Sequence, residues 1–269
     1  MDIPTITTGP APTHAHTHTV VFLHGRGDHA RSFANSLGRW YDSRNRNLID
    51  AFPTFRWVLP QAPMRKRASG PETLPQWFDT WDSRDFSKNE ELQAIGLQEV
   101  IPLLRKMLAD EAALLGGRWD RIVLAGISMG AATSAHLLLH LPEPLGALMG
   151  FSGRFPFARR SLTQTRQAVG LVDAPDHDKV LRETPVLLEH CIDDPVSPIQ
   201  NGLGLRDTLR GFGCQVEWRE YPQGGHWFHT PTGLDDAVQF LDKHVLNKGN
   251  SVGDSNVVSD TVKQQTIGG

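Results

Sequence analysis

The sequence predicts an α/β fold, a single domain on a mostly parallel central sheet with helices on both faces. Two patterns carry this prediction. Short apolar runs recur along the chain, and most are continuously apolar rather than alternating, as in strands covered on both sides. Amphipathic stretches fill the gaps between them, and regular strand–helix alternation makes a parallel sheet.

Residues 1–18 are rich in Thr, Pro and His without a helical period and read as a flexible N-terminal arm. Residues 19–246 form the folded domain, and residues 247–269, mostly small and polar, read as a flexible C-terminal tail. Within the domain the strand candidates are Val20–Leu23, Phe55–Leu59, Ile122–Ala125, Leu145–Phe151, Val186–Leu188 and a run beginning at Val216. Glu90 to Leu115 carries Leu92, Ile95, Val100, Leu103, Leu104 and Leu108 near a 3.6-residue spacing, so it is a helix that Pro102 should kink or divide. Further helices are expected from Ser128 to about His140, near Gly202–Phe212 and near Gly233–Val245. The stretch Pro60–Phe86 is rich in turn formers and aromatics and too long for an idle connection, which suggests a lid or binding loop.

The totals narrow the function. The chain has 269 residues, enough for one large core, and Lys+Arg of 27 against Asp+Glu of 30 gives a net charge of -3. That balance offers no electrostatic reason to bind nucleic acid. No stretch approaches the length of a membrane span, so no integral membrane association is expected, and the absence of a signal-like start makes a cytoplasmic location the expectation. Cys191 and Cys214 stand beside apolar strand patterns and read as small core residues.

The chemistry begins where strand Ile122–Ala125 runs into Gly126-Ile127-Ser128-Met129-Gly130. This matches G-x-S-x-G, a strained strand-to-helix turn that lifts a serine hydroxyl clear of the sheet. A serine nucleophile needs a base, and the base needs an orienting acid. Downstream of two later strands lie Asp193 and Asp194 before Pro195, and His226 in a Gly-rich loop, giving the chain order Ser, Asp, His. Residue chemistry alone leaves Asp193 open beside Asp194, and His229 beside His226. Upstream, Leu23-His24-Gly25-Arg26-Gly27 breaks a strand into a turn that can present the backbone N–H of Arg26 to an oxyanion, with the N–H of Met129 as second donor. His14, His16 and His18 alternate, so an extended arm would line them up as a chelator does. Without a second shell to orient them they read as a polar arm. No metal and no cofactor is expected.

These residues resemble the acyl-protein thioesterase, phospholipase/carboxylesterase branch of the α/β-hydrolases over about Thr19–Val245. Four landmarks carry the resemblance: Leu23 to Asp28; Leu59-Pro60-Gln61-Ala62-Pro63 leading to Gln76-Trp77-Phe78-Asp79; the Ser128 motif; and His190 to Val196. The resemblance implies an α/β-hydrolase fold with Asp194 as the acid and His226 as the base. It also departs from the family in three places: Met129 stands for the usual Gln, Cys191 for a Gly, and the Pro63–Trp77 loop is basic where depalmitoylases have an apolar acyl cover. The expected activity is hydrolysis of carboxylic esters or thioesters on a small-molecule or acylated-protein substrate, with Trp77, Phe78 and Trp227 as candidate substrate contacts. Two alternatives stand beside it: a specialised biosynthetic hydrolase for one metabolite, and a binding protein on a hydrolase scaffold.

Overall fold

The computed structural model describes residues 3–82, 85–171, 173 and 175–247. In chain order its elements are β1 (Thr5–Thr8), β2 (His18–Leu23), α1 (Ala30–Leu37), α2 (Leu48–Ala51), β3 (Phe55–Pro60), β4 (Met64–Lys66) and β5 (Thr73–Pro75). These are followed by α3 (Glu91–Leu114), β6 (Ile122–Ile127), α4 (Met129–Leu138), β7 (Ala147–Phe151), α5 (Leu162–Val169) and α6 (Lys179–Glu183). The last elements are β8 (Val186–Cys191), α7 (Ile199–Gly211), β9 (Val216–Tyr221) and α8 (Thr232–Leu241). The main sheet has the order β1-β3-β2-β6-β7-β8-β9, and β4 and β5 form a separate antiparallel hairpin. From β3 to β9 the pairing is parallel.

The continuous apolar runs have a direct physical meaning. Successive side chains of a strand point to opposite faces. In β2, Val20 and Phe22 join one buried cluster with α1 and α8, while Val21 and Leu23 join the other with α3 and α4. β6 divides likewise, with Val123 and Ala125 on the first face and Ile122 and Leu124 on the second. Both faces are core, so both sets of positions must be apolar.

One expectation needs correction and two gain detail. The arm over residues 1–18 is not loose throughout: Thr5–Thr8 pairs antiparallel with β3, Thr5 opposite Pro60 and Thr8 opposite Trp57. Its β-branched residues suit a strand, a signal masked by the Pro and His that follow. Pro102 neither ends nor divides its helix, since α3 runs through it from Glu91 to Leu114. The Pro60–Phe86 stretch contains an ordered hairpin, β4–β5. Of the expected tail, residues 248–269 lie outside the described residues.

Candidate active site

Ser128 sits between β6 and α4 with φ 56° and ψ -120°, a backbone region that costs a non-glycine residue energy. The motif glycines make this turn possible. A Cβ at Gly126 would lie 2.4 Å from the backbone of Gly130, and one at Gly130 would lie 2.2 Å from the Leu23 carbonyl oxygen. No side chain fits at either position. The Ser128 N–H donates to the Phe151 carbonyl at 2.8 Å, which ties the elbow to β7.

His226 brings the three expected groups together. Its Nε2 is 2.9 Å from Ser128 Oγ and its Nδ1 is 2.7 Å from Asp194 Oδ2. With Asp194 ionised, Nδ1 carries the proton and donates, leaving Nε2 to accept from the serine hydroxyl. Burial pushes the Asp194 carboxyl up, but hydrogen bonds from His190, His226 and the Ser197 N–H outweigh it and hold it well below the ordinary carboxylate range. The Val196 N–H also donates to it, at 2.9 Å. Asp193 acts elsewhere, accepting from the Gly224 and Gly225 N–H groups and so fastening the loop that carries His226. His229 stacks on Tyr221 with ring centroids 4.3 Å apart and stands away from Ser128's hydrogen bonds.

The turn after β2 passes beside the serine. A Cβ at Gly25 would meet Ser128 Cβ at 3.4 Å and Oγ at 3.9 Å. Met129 is the first residue of α4, so its N–H is one of those no helical carbonyl takes up. Among the described residues the Arg26 N–H has no acceptor either, while its neighbour Gly27 donates to the Pro75 carbonyl. His24 fixes the turn from below. Its Nε2 accepts from the Ala62 N–H at 3.1 Å, so Nδ1 holds the proton and donates to the Gly25 carbonyl at 2.7 Å. Burial lowers the pKa of this imidazole, which keeps it neutral in that role.

A cavity of about 390 Å³ opens at Ser128 and His226. Met129, Leu74, Phe86 and Val196 supply its apolar surface, and Arg26, Arg67, Glu72 and Arg154 its charge. The aromatic residues expected to line it do not. Trp77 and Phe78 are fully buried in the core, and the Trp77 indole donates to the His24 carbonyl at 2.9 Å. Trp77 frames the turn beside the serine, and its indole N–H, already paired in the core, has nothing left for a substrate. Trp227 is partly exposed and packs edge-on against Phe33, outside the cavity lining. Arg154 and His190 were missed by the sequence reading. A lone charge after a strand reads as a solvated loop, and His190 reads as structural.

His14, His16 and His18 do not converge. His14 meets the Pro12 carbonyl, His16 the Thr19 hydroxyl, and His18 is buried against Phe55. Among the described residues no three His, Cys, Asp or Glu side chains form a metal-like group. Burial pushes the Cys191 thiol up to about 11 and Cys214 up to about 12, so neither forms a thiolate at neutral pH. Among the described residues no helix is long and apolar enough to cross a membrane.

The comparisons with known proteins agree on one group. A family model described as phospholipase/carboxylesterase matches residues 8–245. Acyl-protein thioesterase 1 of Gibberella zeae is 30% identical over 239 residues, covering 87% of this chain and 93% of the relative. The Schizosaccharomyces pombe protein of that name is 28% identical over 188 residues, 70% and 73% of the two chains. Among solved structures, acyl-protein thioesterase 2 of Zea mays superposes with a TM-score of 0.70 at 24% identity, covering 90% of this chain and 99% of its own. Esterase PE8 gives 0.67 at 26% identity, covering 91% and 100%.

Proposed function

Since this chain belongs to the phospholipase/carboxylesterase family of α/β-hydrolases, a family of serine esterases and thioesterases, we propose that it cleaves carboxylic esters or thioesters through an acyl-enzyme on Ser128. The observation that carries this reading is the chain of hydrogen bonds from Asp194 through His226 to Ser128 at the mouth of a cavity. Ser128 Oγ attacks the carbonyl carbon while its proton passes to His226 Nε2. The oxygen of the tetrahedral intermediate takes the negative charge and accepts from the Arg26 and Met129 N–H groups. Collapse expels the alcohol or thiol, which leaves with the proton from His226. Water then attacks the acyl-enzyme, gives a proton to His226, and releases the acid as Ser128 recovers its hydrogen. Asp194 keeps the imidazole in the required tautomer and stabilises the imidazolium.

The cavity volume is near the lower end for small-molecule sites, which favours a small or medium acyl group. Relatives named acyl-protein thioesterases extend the candidates to acylated proteins. The test is a fluorophosphonate probe together with a panel of p-nitrophenyl esters and acyl-CoA thioesters. Labelling and turnover should both vanish in Ser128→Ala while its melting curve stays that of a folded protein. Labelling that persists in the variant would mean another nucleophile.

A further inference from the structure

The cavity beside Ser128 carries more positive charge than an ester needs. Arg26, Arg67 and Arg154 all line it, against a single lining carboxylate among the described residues, Glu72. That carboxylate is already engaged, since Arg67 Nη1 lies 2.6 Å from Glu72 Oε2. Arg26 and Arg154 have neutral partners instead. Arg26 Nε donates to the Gln76 side-chain oxygen at 3.1 Å. Arg154 Nη2 donates to the side-chain oxygens of Gln93 at 2.7 Å and Thr80 at 3.4 Å. Among the described residues neither has an ion-pair partner.

Arg154 is the more unusual of the two. It is 9% exposed, and its guanidinium stacks 3.9 Å from the ring centroid of Phe86. Burial pulls its pKa down to about 9 against the attraction of the Glu90 carboxylate, and Arg26 is near enough to repel it. At neutral pH it is still a cation. A buried guanidinium held by neutral acceptors and an aromatic face has unused hydrogen-bonding capacity, and ion pairing would offset the cost of its burial. Arg67 adds a further donor, since its Nε is buried without a hydrogen-bond partner among the described residues.

Resting on the serine-hydrolase reading above, we propose that the substrate is an ester or thioester bearing a carboxylate, which Arg154 and Arg26 bind in the cavity beside Ser128. The planar fork of a guanidinium suits a carboxylate, and two of them converging on one cavity fix where that end of the substrate lies. An aliphatic acyl chain would leave the buried Arg154 and the half-buried Arg26 with neutral acceptors alone in contact. Leu74, Phe86, Met129 and Val196 then cover the carbon segment between the carboxylate and the scissile carbonyl.

The test compares charged and neutral members of isosteric pairs. On the acyl side, monomethyl adipate is set against dimethyl adipate; on the alcohol side, 6-acetoxyhexanoate is set against its methyl ester. Whichever side carries the natural carboxylate, one charged member should exceed its neutral partner by at least tenfold in kcat/KM. Arg154→Met should lower that ratio about 10- to 100-fold, as expected for a lost charge-assisted hydrogen bond. Arg154→Lys, which keeps the charge but loses the fork, should keep part of the preference even if the Met variant fails to fold. A ratio at or below one for both pairs in the wild type would overturn the proposal, as would a ratio unchanged by Arg154→Met. Fluorophosphonate labelling separates the two readings. A labelled enzyme that turns over the neutral esters equally well removes the carboxylate alone, whereas an unlabelled one removes the hydrolase mechanism beneath it.

Discussion

His190 and Asp194 are joined inside the fold, with His190 Nε2 3.4 Å from the carboxylate oxygen that also receives His226. The same Nε2 lies 2.7 Å from the Ser197 carbonyl, so it carries a proton and faces two acceptors. α7 packs against the ring, where a Cβ at Gly202 would lie 2.3 Å from His190 Nδ1. The imidazole is therefore a wedge that sets the direction of Asp194. His190→Phe should lower kcat about tenfold, the order of one hydrogen bond to a charged group. His190→Gln, whose amide can reach the same oxygens, should recover part of it. Equal kcat in Phe and Gln variants would show that the wedge matters only as volume.

Asp194→Asn should reduce kcat by about 10³–10⁴-fold, because an amide no longer selects the tautomer that leaves Nε2 free. The variant also has a stability signature. In the folded state the Asp194 pKa is lowered, so its contribution is fully present above the ordinary Asp range near ~4. That contribution is lost as pH falls through this range toward the folded value. Thermal melts from pH 7 to pH 3 should thus fall less steeply for Asp194→Asn than for the wild type, and parallel curves would refute the assignment.

Glu189 points the other way. It is buried, neither carboxyl oxygen has a hydrogen-bond partner among the described residues, and burial with nearby Asp236 raises its pKa well above the usual value. The Tyr221 hydroxyl donates to Asp236 at 2.7 Å, so its proton is directed elsewhere. The folded protein holds the Glu189 proton at pH values where the unfolded chain releases it, and stability falls as pH rises above ~4.5. Glu189→Gln should remove that slope. The gap between variant and wild type should widen by up to about 1.4 kcal/mol per pH unit until the folded pKa is reached. Denaturant melts at pH 5, 6 and 7 measure it, and a constant gap would mean that Glu189 is ionised in the fold.

Two glycines should respond oppositely to alanine. At Gly130 the new methyl would meet the Leu23 carbonyl, and Gly130→Ala should cost at least about 2 kcal/mol through overpacking. Gly204, inside α7, has open space where a methyl would stand, with nothing within 4 Å, and Gly204→Ala should stabilise by up to about 1 kcal/mol. Urea titration of both variants gives the two signs, and a neutral Gly130→Ala would mean that the elbow relaxes freely.

The parts legible in the sequence were those set by local chemistry. β2 and β6 announce burial on both faces through unbroken apolar runs, and the Ser128 motif states its own sterics through its two glycines. The grouping of Ser128, His226 and Asp194 was legible because each follows a strand end. What stayed hidden depends on distant partners. Nothing local to Arg154 reveals that Phe86 and Gln93 enclose it. Trp77 and Phe78 look available for substrate until His24 and α3 are seen to claim them, with Gly96 of that helix so close that a Cβ would lie 2.4 Å from the Phe78 Cα.

The four residues of β1 have a protective consequence. Thr5–Thr8 occupies the outer hydrogen-bonding side of β3, whose Trp57, Val58 and Leu59 are buried. An uncovered strand of that composition is a template for edge-to-edge aggregation, whereas a short, threonine-rich strand is a poor one. A chain shortened to begin at residue 9 would keep Ser128, His226 and Asp194 yet expose that template to every other copy in solution.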